Sequence, residues 1–403
     1  MAGPAAAASR WYVLGPGAIG GLVAFHLRRA GHPVTLLLRG PPAPPREVSL
    51  TVIAAAAGGS GGDTPLRITV DAEQLAAASP APASAPITRL LVTTKAPQAL
   101  DAFSRVRGRL APGASAAVVL LTNGWGLREA VLARFYGQAP PAPPSPRDAA
   151  PQFVLGTTTH GCYRRGPREV VHAGAGTMRF GLPLGTDASS SSSSSSSSGA
   201  AADAVAELYA ALRDPLGAGA GPCDPEEMHA LLLAKLAVNC CVNPLTALLR
   251  VRNGDLVRSA AGRFLMRRVA AEVAPVLRAK FSADVRGAAA AAASSRPVPA
   301  ALLSGEALVE EAKAVCARTS RNFSSMYQDV HRRAPGSSAV TEIDAILGEA
   351  IAMGAAARRG STSVLPAATA AMPWSRLVFA CVKALERAAT NGWTAPDDGD
   401  DSC

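Results

Sequence analysis

The feature that most constrains the fold is a glycine-rich turn close to the start of the chain. An apolar run, Trp11 to Leu14, has the character of a buried strand, and Gly15-Pro16-Gly17-Ala18-Ile19-Gly20 follows it directly. Residues 21–30 have the apolar spacing of a helix, and Val34 to Leu38 forms a second buried strand candidate. A strand, a Gly-x-Gly-x-x-Gly turn, a helix and a strand in this order predict the opening of a dinucleotide-binding α/β fold.

The glycines of this turn each have a physical role in binding a dinucleotide. Gly15 permits the tight turn, Gly17 lets the backbone approach a pyrophosphate, and Gly20 allows the helix to pack closely on the strand. The helix N-terminus then offers N–H groups and a partial positive charge to the phosphates. A purely structural glycine turn is the alternative, but the flanking elements favour a cofactor site.

The end of the second strand bears on the choice between NAD and NADP. An NAD enzyme normally has an acidic residue there for the ribose 2′-hydroxyl, whereas this chain has Arg39 and no acidic residue before Glu47. A guanidinium suits a 2′-phosphate, so the sequence favours NADP. The alternative is a solvated arginine, which is common in a chain with 40 Lys and Arg residues of which only five are Lys.

Two further buried strands are followed by polar side chains. The run Leu90 to Thr94 leads to Lys95, and the run Ala117 to Leu121 leads to Asn123. Ligands of open α/β sheets lie outside the carboxyl ends of the strands. Lys95 and Asn123 are therefore candidate cofactor contacts.

Several short strand candidates and a serine run precede a change of character at Asp224. Phe153 to His160, Glu169 to His172 and Thr177 to Phe180 are predicted to form an edge hairpin or meander. The ten consecutive serines from Ser189 to Ser198 predict a flexible surface loop, with phosphorylation as an alternative role. From Asp224 onward, long apolar periodicities predict an all-helical domain.

The most informative stretch of the helical half begins at Lys235. In a helix, Lys235, Asn239 and Asn243 lie at i, i+4 and i+8 on one face, among apolar neighbours. Such polar groups need partners or a polar cleft, and a desolvated lysine can donate a proton near working pH. A snorkelling lysine with structural amides is the alternative. Pro244 is expected to bend this helix just after the stripe.

Two shorter segments complete the set of candidates. Ser325 and Asp329 lie one helical turn apart. Glu342 follows Thr341 at the start of a helix predicted to extend to Met353, so its carboxylate could serve a site or simply favour the helix N-terminus.

Composition excludes several classes of protein. The chain has 403 residues, 48% of them hydrophobic, which suits two or three globular domains. Its net charge of +10 is spread without basic runs, so nucleic-acid binding is disfavoured. The longest apolar run contains Lys235, Asn239 and Asn243, which argues against a membrane span. Seven irregularly spaced cysteines indicate free thiols and no metal site. A cytoplasmic location is expected, and the acid-free, Ala-rich residues 1–10 leave a mitochondrial address open.

The motifs together resemble the ketopantoate reductase (2-dehydropantoate 2-reductase) family. The resemblance spans residues 13–348 and is strongest in the blocks around Lys235 and Glu342. The matching segments, in the family's order, are VLGPGAIGG, LLLR, LLVTTKA, LLTNGWG, GTTTHG, KLAVNCCVNPLTALLRVRNGDL, SSMYQDV and TEIDAILG.

The resemblance implies a fold of two domains with the active site between them. An α/β Rossmann domain that binds NADP would occupy residues 1–222, with a Ser-rich insertion at 186–203. An all-α domain similar to the C-terminal domain of 6-phosphogluconate dehydrogenase would occupy 223–395, followed by an acidic tail at 396–403.

The resemblance also implies roles for individual residues. Lys235 is expected to be the general acid and Glu342 a catalytic carboxylate that helps to hold cofactor and substrate. The substrate contacts would be Asn239, Asn243, Asn253 and Ser325. The cofactor contacts would be Gly15, Pro16, Gly17, Ala18, Ile19, Gly20, Arg39, Lys95, Asn123, Gly161 and Glu342.

The activity that these resemblances imply is reduction of 2-dehydropantoate to (R)-pantoate with NADPH, a step of pantothenate and coenzyme A biosynthesis. Reduction of another 2-oxo acid, or NADPH binding without turnover by a sensor or scaffold, are the alternatives. The expected partner is a small 2-oxo acid, with neither nucleic acid nor membrane, and a homodimer is compatible with the sequence.

Overall fold

The structure is a computed structural model. It describes residues 8–40, 46–54, 65–75, 86–137, 149–185, 199–217, 221–288, 297–332, 339–359 and 366–391. The chain divides into two compact units, Met1–His229 and Ala230–Cys403. The serine run and the acidic tail lie outside the described residues.

The first unit is built on one ten-stranded mixed sheet. Its strands are β1 (Trp11–Leu14), β2 (Val34–Leu38), β3 (Glu47–Ala54), β4 (Pro65–Gln74), β5 (Arg89–Val92), β6 (Ala117–Leu120), β7 (Gln152–Thr158), β8 (Gly161–Gly166), β9 (Glu169–Gly174) and β10 (Met178–Gly181). Its helices are α1 (Ala18–Arg29), α2 (Ala96–Ser104), α3 (Leu127–Phe135) and α4 (Ala200–Leu216).

The strand order is β10-β7-β6-β5-β1-β2-β4-β3-β9-β8. The strands from β7 through β4 in this order are parallel. Every residue of β1, β5 and β6 is buried, as expected of a parallel sheet that is covered on both faces. The carboxyl ends of these strands share one edge, where the glycine turn and the segments after β5 and β6 lie.

The sheet wraps around helix α1. Only two residues separate β7 from β8, yet these strands lie near opposite ends of the strand order. The β8–β9 hairpin lies at the far end of the strand order from β7, and both of its strands contact α1. A Cβ atom on Gly21 would lie 2.8 Å from Val170 Cγ2 of β9, so the glycine permits this close contact. The prediction of one edge hairpin or meander was therefore incomplete, because β7 pairs with β10 at one end and β8 with β9 at the other.

The described part of the second unit is helical, as predicted. Its helices are α5 (Pro225–Leu249), which begins just before the boundary, α6 (Asn253–Arg258), α7 (Ala260–Ala288), α8 (Ala300–Leu303), α9 (Gly305–Arg318), α10 (Ser325–His331), α11 (Glu349–Arg359), α12 (Ala367–Ala371) and α13 (Pro373–Thr390). A π-helical turn, Asp344–Gly348, leads into α11.

Helix α5 is the central element of the site described below. It is the one helix of the described residues that is long and apolar enough to cross a membrane, but 67% of its most apolar 18-residue window is buried inside the protein. This burial is the pattern of a core helix. Pro244 lies inside α5, and the helix continues past it to Leu249.

Candidate active site

The glycine turn of the first unit packs tightly on the end of β5. Gly15 has φ +79°, and a Cβ there would lie 2.4 Å from Thr94 Cγ2. A Cβ on Gly20 would lie 2.2 Å from Thr93 Oγ1. The Thr93 hydroxyl donates a hydrogen bond of 2.8 Å to the carbonyl of Gly15. Two of the three motif glycines are therefore required by the fold of the unit itself.

The packing of the first unit does not explain why residue 17 is a glycine. Its φ is −73°, which any residue adopts, and the atom nearest to an added Cβ would be the Gly15 carbonyl oxygen at 3.9 Å. Gly17 is also the N-cap of α1, where no side chain of the described residues caps the helix and no acidic residue occupies the first turn. Open space beside an uncapped helix N-terminus fits the pyrophosphate of a dinucleotide.

Two cations lie at the carboxyl edge of the sheet, next to the turn. Lys95 is exposed and is the N-cap of α2. Arg39 follows β2, and its guanidinium donates a hydrogen bond of 2.7 Å to Oε1 of Gln98 in α2. Sequence reasoning had no signal for Gln98, because its role follows from a contact between distant segments.

Asn123 lies shortly after β6, and Gly161 begins β8. Asn123 is half-buried after β6, next to Gly124, which has φ +89°. Gly161 opens β8 only three residues after β7 ends, and it is paired with Gly174 of β9. The structure thus places both residues beside strand ends, and their contacts to a cofactor remain predictions.

The second unit carries a lysine and a carboxylate that interact. Lys235 is half-buried in α5, whereas Glu342 is only 5% exposed. Burial lowers the pKa of Lys235 to about 8, and the negative charge of Glu342 acts in the opposite direction and raises it. A lysine in this range can hold a proton at neutral pH and release it during a reaction.

The two asparagines of the stripe share α5 with Lys235. Their spacing places Lys235, Asn239 and Asn243 on one face of the helix. Asn239 is half-buried and Asn243 is buried. The face therefore presents one cation and two amides within a largely apolar helix.

Asn253 is fixed against the loop that precedes α10. Its backbone N–H donates to the carbonyl of Asn322 at 2.9 Å, and its side-chain amide donates to Thr319 Oγ1 at 2.9 Å. Gly254 permits this approach, since a Cβ there would lie 2.8 Å from Ser320 Cβ. Within the described ranges, no group donates to the buried Oδ1 atom of Asn253. A ligand hydroxyl would satisfy that acceptor.

The two adjacent serines of this loop have different roles. Ser324 is buried and caps α10, because its Oγ accepts a hydrogen bond from the N–H of Tyr327. The same hydroxyl lies 2.7 Å from the hydroxyl of Thr246 in α5. Ser325 is exposed at the first position of α10, so its hydroxyl is the one accessible to a ligand.

Asn322 is a candidate that the sequence analysis missed. It is exposed, lies three residues before Ser325, and its carbonyl binds the backbone of Asn253. The signal that could have found it was its position at the start of the Asn-Phe-Ser-Ser segment, which ends at the predicted Ser325. The described residues contain no group of three or more His, Cys, Asp or Glu side chains that could hold a metal ion.

A Rossmann-type α/β unit joined to a helical unit with a lysine–glutamate pair defines a two-domain oxidoreductase. Two family models match the chain. The model for ketopantoate reductase PanE/ApbA covers residues 11–184, and the model for the C-terminal part of the same enzymes covers residues 227–386. The chain belongs to the ketopantoate reductase family.

Individual relatives agree with this assignment. The 2-dehydropantoate 2-reductase of Vibrio cholerae is 29% identical over 345 residues, which is 85% of this chain and 90% of the relative. A PanE/ApbA family ketopantoate reductase from Ralstonia eutropha has a TM-score of 0.61 at 21% identity, over 94% of this chain and 99% of that one.

A solved dehydrogenase structure of another name also has a similar fold. A D-mandelate dehydrogenase, solved with NADH and anilino(oxo)acetate, has a TM-score of 0.63 at 16% identity, with coverage of 94% and 99%. At this identity the likeness concerns the fold alone.

Proposed function

We propose that this protein reduces 2-dehydropantoate to (R)-pantoate with NADPH. The observation that carries the proposal is the interaction of Lys235 with Glu342. Lys235 is half-buried and has a pKa of about 8, and Glu342 is buried. A charged lysine is costly to desolvate, and a proton donor is what reduction of a carbonyl requires. Family membership and the relative from Vibrio cholerae support the choice of substrate.

The first unit is proposed to bind the dinucleotide. The open space at Gly17 and the uncapped start of α1 suit the pyrophosphate. Arg39, with its guanidinium held by Gln98, is proposed to bind the 2′-phosphate and to favour NADPH over NADH. Lys95 and Asn123, which follow β5 and β6, and Gly161, which begins β8, are proposed as further contacts. When bound, the nicotinamide supplies a hydride to the carbonyl carbon.

The second unit is proposed to bind the oxo acid and to supply the proton. Lys235 transfers its proton to the carbonyl oxygen as the hydride reaches the carbon, so no full alkoxide charge develops. The proposed substrate contacts fix the orientation of the acid. These contacts are Asn239, Asn243, Asn253 and Ser325.

The test is turnover by the purified protein, followed through the absorbance of the reduced nicotinamide. 2-Dehydropantoate is compared with other aliphatic and aromatic 2-oxo acids, and NADPH with NADH. The highest kcat/KM with 2-dehydropantoate and NADPH is the expected result. A higher kcat/KM with another acid would mean that this other acid is the substrate. Binding of NADPH without any turnover would mean that the protein is a sensor or scaffold and not an enzyme.

A further inference from the structure

The segment that carries Glu342 is anchored by α13, a helix that the sequence analysis assigned no role. Glu386 of α13 is buried, and its Oε1 accepts hydrogen bonds from both the backbone N–H and the hydroxyl of Thr341, at 2.7 and 2.6 Å. Thr341 is the residue immediately before Glu342. A buried carboxylate thus fixes the backbone on the N-terminal side of the candidate catalytic glutamate.

The chain on the other side of Glu342 is fixed by the same helix. The other oxygen of Glu386 lies 2.8 Å from Lys383 Nζ, and Lys383 lies 3.0 Å from an Asp344 carboxylate oxygen. Asp344 begins the π-helical turn. Lys383 therefore joins Glu386 to the residue two positions after Glu342, and the anchoring extends across the glutamate.

Hydrogen bonds within the segment transmit this anchoring to Glu342 itself. The Thr341 hydroxyl accepts from the N–H of Ile343 at 3.2 Å, and the carbonyl of Glu342 accepts from the N–H of Ile346 at 3.0 Å. π-Helical turns are rare and occur frequently at functional sites. The backbone of Glu342 is consequently constrained on both sides.

We propose that Glu386 is a positioning residue for the reaction: through Thr341 and Lys383 it holds Glu342 in place beside Lys235. Glu386 does not touch substrate or cofactor in this proposal. The inference rests on the proposed function, in which Lys235 donates the proton and Glu342 is the described charged group that acts on it.

The test compares two equally buried glutamates, each of which accepts hydrogen bonds from the backbone N–H and the hydroxyl of one residue. Glu386 and Glu272 are each 7% exposed. Glu272 of α7 accepts from the N–H of Trp374 and from the N–H and hydroxyl of Ser375, at 2.7–2.9 Å. Glu386→Gln and Glu272→Gln should therefore destabilise the protein to a similar extent, while only Glu386→Gln should disturb Glu342.

The expected result is a change in the pH profile of kcat/KM. Displacement of Glu342 removes a negative charge that raises the pKa of Lys235, so the alkaline limb should move to lower pH in Glu386→Gln, by about one pH unit. Its kcat should fall roughly tenfold or more, since small misplacements of catalytic groups are costly. Glu272→Gln should keep the wild-type profile. Coincident profiles for wild type and Glu386→Gln, or equal shifts in both variants, would overturn the proposal.

A milder pair of variants covers the case in which Glu386→Gln does not fold. Thr341→Val removes the hydroxyl that binds Glu386 and Ile343 but keeps the shape of the side chain. Thr341→Ser retains the hydroxyl. The alkaline limb of the pH profile of kcat/KM should move to lower pH in Thr341→Val and should keep its wild-type position in Thr341→Ser. A shift common to both variants would contradict the proposal.

A second readout separates this inference from the proposed function. The rate at which acetic anhydride acylates Lys235, measured by mass spectrometry across pH, reports the pKa of the amine without any turnover. A lower pKa in Glu386→Gln than in Glu272→Gln supports the positioning role even if no 2-oxo acid is reduced. Equal values refute it even if the wild-type enzyme reduces 2-dehydropantoate.

Discussion

The two units carry their candidate sites in different ways. In the first unit, the site consists largely of backbone from one short segment, Gly15 to Gly20, placed at a helix N-terminus. In the second unit, it consists of side chains from separate segments, with Lys235 on α5, Asn253 at the start of α6, and Ser325 and Glu342 far along the chain. A backbone site depends on where side chains are absent, whereas a side-chain site depends on long-range contacts.

The largest expected effect concerns the side-chain site. Lys235→Ala removes the proposed proton donor, so kcat should fall by about 10²–10⁴-fold, the usual contribution of general acid catalysis. Affinity for NADPH, measured by fluorescence titration, should change little because the proposed cofactor contacts other than Glu342 are in the other unit. Wild-type turnover in this variant would show that another group donates the proton.

The backbone site can be tested by adding a single methyl group. Gly17→Ala places a Cβ at least 3.9 Å from the described atoms outside its chain neighbours, so the thermal midpoint should stay near that of the wild type while NADPH binds roughly ten- to a hundredfold more weakly. Gly20→Ala is the contrasting control, because its Cβ would meet Thr93 Oγ1 at 2.2 Å and should lower the midpoint. Unchanged NADPH affinity in Gly17→Ala would mean that the pyrophosphate does not bind beside Gly17.

In the first unit, whose candidate site consists largely of backbone, Arg39 is expected to bind the cofactor through its side chain. Arg39→Ala should weaken NADPH by about tenfold, as expected from the loss of a charged hydrogen bond, and should leave NADH nearly unaffected. Gln98→Ala, which removes the described partner of the guanidinium, should have a smaller effect in the same direction. Equal losses for both cofactors would contradict a role in binding the 2′-phosphate.

The smallest effects should distinguish two neighbouring serines. Ser324→Ala removes the cap of α10 and the bond to Thr246, and should lower the free energy of unfolding by about 1 kcal/mol with KM unchanged. Ser325→Ala should raise the KM for the oxo acid and leave stability near that of the wild type. The opposite assignment of effects would mean that Ser324 is the ligand-binding residue.

The elements that could be predicted from the sequence are those whose signals are local. The strand–turn–helix at Gly15 to Gly20 and the stripe from Lys235 to Asn243 both lie where their periodicity indicated. The position of β8 and β9 at the far end of the sheet from β7 could not be predicted, because strand order depends on tertiary packing. The role of Glu386 could not be predicted either, because its partner Thr341 lies 45 residues away in the sequence. The sequence around Glu386 is that of an ordinary amphipathic helix.

The way in which the sheet encloses α1 also bears on how the chain folds. The helix is formed by residues 18–29, but the β9 strand that packs on Gly21 comes from residues 169–174. Contacts of such long sequence separation slow folding, because loop closure must precede the gain from burial. During synthesis, more than a hundred residues are therefore added after α1 before the β9 strand that packs on it has been made. A nascent chain that ends at β6 lacks the β9 residues that pack on α1, and apolar surface exposed in this way favours aggregation.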